Sequence, residues 1–178
     1  MNKKVLCYEI IGIFFIVILG TLLHFLYECS GESQTVALFA AVNESVWEHL
    51  KLGFWPAFLY AIIEYPFIKD DTNNFLIAKT TSLYLIPIII VVLFYTYTGI
   101  LGSNNLFIDI LIFIIAVVIG QLVSYSILTS PQLPMIYSVI ALLALLVITA
   151  MFLLFTFSPP DLPLFMDTNT GEYGIPSS

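Results

Sequence analysis

Long apolar segments separated by short polar turns constrain the fold of this 178-residue chain more than any other feature. A helix of about 20 apolar residues is long enough to cross a bilayer. Segments of this kind run over 5–27, 45–68, 75–100, 106–128 and 135–157. Hydrophobic residues make up 60% of the chain and charged residues 10%, whereas about a quarter of a soluble domain is charged. We therefore predict an all-α polytopic membrane bundle of about five spans, a single domain over 1–178 in contact with membrane lipid.

Turn-forming residues separate the predicted spans. The stretches KDDTNN (69–74), GSNN (102–105) and TSPQLP (129–134) contain the polar residues and prolines that end helices. The stretch SQTVALFAAV (33–42) is too short to cross a membrane. It is predicted to form either a short interfacial or re-entrant helix or the first turns of the second span.

The lysines predict an orientation. Lys3 and Lys4 precede the first span, and Lys69 follows the second, so in a five-span bundle all three lie on one side. Lysine-rich loops are cytoplasmic, which predicts a cytoplasmic N-terminus and an extracytoplasmic C-terminus. The tail 158–178 is too apolar to stay free in water, and we expect it to fold back as a cap over the outer end of the bundle.

Charge and loop length limit the partners of the chain. The formal net charge is -7 and arginine is absent, which argues against binding to nucleic acid, because that requires clustered cations. The short loops leave little surface for a soluble partner. Homo-oligomerisation would therefore occur through lipid-facing helices, and the sequence identifies no protein partner.

Polar residues are concentrated where the first span ends and the second begins. His24 and Glu28 are four residues apart, as are Glu44 and Glu48, and this spacing puts helical side chains on one face. Spans one and two run antiparallel, so their outer ends meet. The predicted pocket consists of His24, Glu28, Glu44, Glu48 and His49, with Lys51 and Asp109 as further partners.

Two kinds of chemistry suit this predicted pocket. Its two imidazoles and its carboxylates suit zinc or another divalent transition metal, which can activate water. Alternatively, His49 acts as a general base oriented by Glu44 or Glu48, and these three residues are the candidate catalytic groups. In a purely structural interpretation, the acids cap a helix near the lipid headgroups and His24 is a packing residue. An ionised group costs about 2.5–3.5 kcal/mol at mid-membrane, which favours a functional interpretation of the cluster.

Polar residues also occur inside the other predicted spans. Glu9 and Glu64 lie toward the inner side, where we expect them to pair with lysines of the inner loops. Lys79 is expected to extend its ammonium inward to the same interface. A small-solute or ion carrier would use Glu64 and Gln121 to continue a polar path through the bundle. A metal-dependent hydrolase, a carrier and a partner-binding protein therefore remain alternative functions.

Two long stretches carry a family resemblance. VNESVWEHLKLGFWP (42–56) and PPDLPLFMDTNTGEYGI (159–175) resemble an uncharacterised family of small bacterial multipass membrane proteins with an N-E-S-x-W-E-H-L-K signature. That family is classed as a domain of unknown function. The resemblance implies a protein of the bacterial plasma membrane, without an assigned activity.

A second resemblance covers only five residues. Ser45 to His49 reads S-x-x-x-H, which is similar to one motif of the alkaline ceramidase-like membrane hydrolases, enzymes with a helix-borne zinc site. Those hydrolases also have a later paired-histidine motif, and this chain has no histidine after His49. The resemblance implies a hydrolase acting on a lipid or another envelope substrate, with carboxylates in place of the missing ligands.

Overall fold

The structure is a computed structural model that describes residues 2–175, and within that range six α-helices follow one another. They are α1 (Lys3–Cys29), α2 (Gln34–Ala37), α3 (Val46–Ile68), α4 (Phe75–Leu101), α5 (Leu106–Leu128) and α6 (Met135–Phe157). Two 3-10 turns complete the described secondary structure, Lys69–Asp71 between α3 and α4 and Pro163–Phe165 after α6. The all-α prediction is confirmed, and the five long helices end within two residues of the predicted segments.

Four of these helices, α1, α4, α5 and α6, are long and apolar enough to cross a membrane. Helix α3 has a comparable length, but it is not among the described helices that are long and apolar enough to cross a membrane. It carries Glu48, Lys51 and Glu64, all buried, and it packs against α1 and α4. A helix surrounded by protein can carry charges that a lipid-facing helix cannot. The structure therefore has four candidate spans among the described helices, and the predicted count of about five is not confirmed.

The segment between α1 and α3 is mostly irregular. After α1, Gly31 and Glu32 turn the chain with φ angles of 69° and 61°. Helix α2 follows with only four residues, and the chain is non-helical again before Ser45. Stretch 33–42 is thus not the first part of α3. It contains a short separate helix, which was one of the two predicted alternatives.

A glycine in α1, Gly20, lets this helix lie close to α3. A Cβ on Gly20 would lie 2.9 Å from Cζ of Phe113 and 3.3 Å from the carbonyl carbon of Leu52 in α3. Ile16, one turn earlier on the same face of α1, is fully buried. Glycine allows such close backbone approach between apolar helices. His24 lies one turn beyond Gly20, so this contact determines where it meets α3.

A buried lysine joins three segments near the start of α3. The ammonium of Lys51 donates to the carbonyl of Ala37 at 2.8 Å and to Oγ1 of Thr156 in α6 at 3.0 Å. Its third partner is Oε2 of Glu48 at 2.5 Å, and this oxygen also accepts from the N–H of Val42 at 3.1 Å. An ammonium has three N–H donors, so its hydrogen-bonding capacity is fully used.

The described part of the tail packs on the beginning of α3. The indole of Trp47 lies between the rings of Phe152 in α6 and Phe165 in the tail, with ring centroids 4.7 Å and 4.8 Å away. Phe165 is buried in the same apolar cluster. The tail therefore covers the end of the bundle at which α3 begins, whereas its position relative to a membrane stays a prediction.

Replacing Lys51 with methionine should destabilise the bundle strongly, because the Glu48 carboxylate would stay buried without its cation. Breaking a buried ion pair on one side costs about 3–5 kcal/mol. The double variant Glu48→Gln/Lys51→Met should regain much of this loss in the free energy of unfolding. Thermal unfolding in detergent measures the effect, with Lys69→Met as the exposed control, which should change stability by less than about 0.5 kcal/mol. Equal stability of Lys51→Met and Lys69→Met would contradict the role assigned to Lys51.

Candidate functional site

Three of the predicted site residues converge at the end of the bundle where α1 ends and α3 begins. His24 comes from α1, Glu44 from the loop before α3, and His49 from the first turn of α3. One ligand atom from each lies within 4.8 Å of the other two, and no other such group occurs within residues 2–175. The two imidazole rings are 5.1 Å apart between centroids. Nε2 of His49 lies 3.5 Å from Oε2 of Glu44.

The backbone orients His49. Its Nδ1 lies 2.9 Å from the carbonyl oxygen of Ser45, the residue that caps α3. A carbonyl oxygen only accepts hydrogen bonds, so Nδ1 is the donor, and a neutral ring then has its lone pair on Nε2. Histidine ligands of metals commonly have this second contact, which fixes both tautomer and ring orientation.

His24 has an unused nitrogen. Its Nδ1 is buried and has no hydrogen-bond partner among the described side chains and backbone. The ring is partly buried and packs edge-on against Phe25, with centroids 4.9 Å apart. Buried polar atoms in folded proteins nearly always have a partner, so this nitrogen needs a water or a bound species as its partner.

A polar cavity of about 200 Å³ opens beside the cluster. Its lining includes both His24 and Glu44 and comes from α1, from the loop before α3 and from the tail. The lining residues are His24, Tyr27, Glu28, Ala41, Val42, Asn43, Glu44 and Asp167. A water molecule takes up about 30 Å³ in the liquid, so the cavity can hold several waters or a small polar group.

The tail positions the loop that carries Glu44. Asn43 donates from Nδ2 to the carbonyl of Gly174 at 2.8 Å, and its Oδ1 accepts from the N–H of Ser45 at 2.9 Å. Thr168 donates from Oγ1 to the carbonyl of Glu44 at 3.2 Å. The site is thus assembled from α1, α3 and two segments that lack regular structure.

Asp167 also faces Glu44. Its Oδ1 accepts from the backbone N–H groups of Asn169 and Thr170 at 2.7 Å and 3.3 Å, and its Oδ2 lies 3.5 Å from the N–H of Glu44. Asp167 and Asn43 were not predicted to line the pocket. The D-T-N-T-G sequence of the tail is typical of a turn, but no spacing rule connects this turn with residue 43 across the chain.

Glu48 does not join the predicted ligand set, which corrects the interpretation of its four-residue spacing from Glu44. Helix α3 begins at Val46, so Glu44 precedes the helix and the rule for helical faces does not apply to the pair. The Glu48 carboxylate turns into the bundle instead, toward Lys51. Lys51 is therefore a partner of Glu48 and not of the cluster.

The remaining predicted residues lie outside the three-residue cluster. Glu28 is exposed and lines the cavity without belonging to the group of converging ligand atoms. Asp109, at the start of α5, accepts a hydrogen bond from the hydroxyl of Tyr97 in α4. Asp109 is thus engaged between α4 and α5 and does not join the cluster.

The comparison with known families confirms the predicted membership of a family of unknown function. A family model described as a family of unknown function, DUF6512, matches residues 1–175. No curated protein and no solved structure matches the chain. Because the matched family has no known function, the chemistry of the site has to be argued from its geometry.

Replacing Gly20 with valine should separate the two imidazoles, because the added side chain would meet Phe113 and the backbone of Leu52. Overpacking of this kind costs about 1–3 kcal/mol and displaces the helices. Cysteines introduced at 24 and 49, in a variant whose two native cysteines are serines, report the separation. A short bifunctional thiol reagent should crosslink this pair efficiently, and Gly20→Val should lower the yield severalfold.

Gly99→Val provides the matched control for the crosslinking measurement. A Cβ at Gly99 would meet no atom of the described chain within 4 Å, so this change should leave the crosslinking yield unaltered. Equal yields in the Gly20→Val and Gly99→Val backgrounds would show that the close α1–α3 contact does not position the histidines.

Proposed function

The chain belongs to DUF6512, a family of unknown function, and we propose that it binds a divalent transition-metal ion through His24, Glu44 and His49. The observation that carries this proposal is the convergence of three ligand atoms within 4.8 Å, from residues that two helices and a loop bring together. The orientation of His49 by the Ser45 carbonyl and the unpartnered Nδ1 of His24 support it.

The donor types select the class of metal. Two imidazoles and one carboxylate suit zinc and its neighbours, whereas calcium and magnesium favour sites built from oxygen. Three protein ligands leave a coordination position open, as in catalytic zinc sites with two histidines and one glutamate. The adjoining polar cavity gives that position room for water or a substrate group.

The reaction class that this arrangement favours is hydrolysis of a lipid or another envelope substrate. A divalent ion in such a site acts as a Lewis acid. Glu28 lines the same cavity and lies outside the ligand set, so its carboxylate is available to accept a proton from an attacking water. Asp167 would position the Glu44 loop through its contact with the Glu44 N–H.

The membrane arrangement is part of this proposal. We place α3 as a fifth span, and Lys4 of α1 supports the lysine-based orientation because it pairs with Asp71 of the turn after α3 at 2.6 Å. The pair puts the lysine-bearing ends of both helices at one end of the bundle. The histidine cluster lies at the opposite end, which we assign to the extracytoplasmic face of a bacterial plasma membrane. Exposed apolar side chains such as Phe14 and Leu154 would face lipid or a second copy.

Metal binding to the purified, chelator-treated protein in detergent tests the proposal. Calorimetric titration with zinc or cobalt should give one ion per chain. His24→Ala and His49→Ala should abolish this binding, and Glu44→Gln should weaken it by at least about tenfold, because each change removes a ligand.

Glu28→Gln is the matched control for the titration, since it changes a carboxylate of the same cavity outside the converging group. Its affinity for the metal should stay within about twofold of the wild type. Circular dichroism and gel filtration establish that each variant is folded. Absence of stoichiometric binding, or binding that survives both histidine substitutions, would overturn the metal site.

A further inference from the structure

A second ionisable cluster lies between three helices, toward the other end of the bundle. Glu9 of α1 and Glu64 of α3 are each 1% exposed, and Lys79 of α4 is 5% exposed. The ammonium of Lys79 lies 2.5 Å from Oε1 of Glu9 and also contacts Oε1 of Glu64. The sequence predicted that Lys79 would extend to the interface and that the two acids would pair with lysines of the inner loops. The structure instead pairs Lys79 with both acids inside the bundle.

The two carboxylates differ in their hydrogen bonds. Oε1 of Glu9 accepts from Lys79 and from Oγ of Ser124 in α5, the latter at 3.3 Å. Oε1 of Glu64 has only the Lys79 ammonium against it, and neither Oε2 of Glu64 nor Oε2 of Glu9 has a hydrogen-bond donor in the described part of the chain. The hydroxyl of Tyr60, one turn before Glu64, donates instead to the carbonyl of Tyr8 at 2.5 Å. Two buried carboxylate oxygens, one on each acid, thus lack donors in the described part of the chain.

The charges of the cluster do not balance. If every group were ionised, two carboxylates and one ammonium would leave one negative charge buried between the helices. The groups that face the cluster from α1, α3 and α5 add no cation: they are Tyr8, Tyr60, Gln121 and Ser124. The four other lysines are engaged elsewhere or exposed: Lys51 with Glu48, Lys4 with Asp71, and Lys3 and Lys69 at the surface. An uncompensated buried charge is strongly unfavourable, so one more positive equivalent is required.

We infer that this cluster is a proton-binding site that holds one proton on the carboxyl group of Glu64, beside an ionised Glu9–Lys79 pair. Glu9 stays ionised because Ser124 donates to it in addition to Lys79, whereas the shared ammonium is the only described partner of Glu64. The protonated carboxyl supplies the O–H donor that this part of the bundle otherwise lacks. The inference is independent of the proposed metal site, since it uses none of the same residues.

A proton at this position gives the bundle a chemical switch. Loss of the proton from Glu64 would place a second negative charge against Glu9, which shares the only ammonium described there. Like charges at such distances repel strongly where the dielectric constant is low. Release of the proton would therefore push α1 away from α3, and uptake would draw them together. The ligand of this cluster is thus a proton, so the cluster would serve a reaction or transport step that is coupled to proton uptake or release.

Infrared spectroscopy of the purified protein tests the inference by counting carboxylic acid C=O bands at neutral pH. The wild type should show one band from this cluster. Glu64→Gln should remove it, and Glu9→Gln should remove it as well, because one carboxylate facing one ammonium needs no proton. Lys79→Met should add a second band, since both acids must then be neutral. Glu32→Gln, at an exposed residue, is the control and should leave the band unchanged.

Aspartate substitutions locate the proton. Glu64→Asp should shift the position of the carboxylic acid band, whereas Glu9→Asp should leave it in place, and these variants keep the charges of the cluster if Glu64→Gln fails to fold. Absence of a band that depends on Glu64, or an unchanged spectrum in Lys79→Met, would overturn the inference. A band that appears only after sodium is removed would also overturn it, because a sodium ion would then be the missing positive equivalent.

Discussion

The fully buried ammonium of Lys51 is the interaction on which the rest of this end of the molecule depends. It holds the end of α2, the first turns of α3 and the end of α6 together through Ala37, Glu48 and Thr156. Displacing any one of these segments would leave a buried charge without a partner, at a cost of several kcal/mol. The loop that carries Glu44 lies between two of these fixed points, so its position follows from that of Lys51.

The polar stretch at the start of α3 divides into inward and outward residues. Glu48, Lys51 and Ser45 are explained by structure alone, as a buried ion pair and a helix cap. Glu44 and His49 have no comparable structural role, and they are the two residues of the stretch that meet His24. Capping therefore accounts for part of the polar cluster but not for its convergence with a second helix, and the proposed metal site accordingly rests on three residues.

The sequence predicted the bounds of the helices well, but it predicted less well which side chains of different helices contact one another. Apolar length and turn residues determine where a helix begins and ends, so the segments from 75 to 157 agree closely with α4, α5 and α6. Glu48 lies outside the converging group, because Glu44 precedes the start of α3 and the two acids therefore do not share a helical face. Lys79 was expected to extend its ammonium to the inner interface, because a sequence cannot show that two acids on other helices approach it in space.

Two buried charge clusters, made of the same residue types, differ in what they can do. Glu48 and Lys51 balance one to one, and every donor of the lysine is used, so the pair acts as a structural lock. Glu9, Glu64 and Lys79 combine two acids with one lysine and leave carboxylate oxygens without donors. A satisfied pair is costly to disturb, whereas an unsatisfied one needs a ligand. Stoichiometry and hydrogen bonding, rather than burial alone, therefore separate the residues that hold this bundle together from those for which we propose a bound proton.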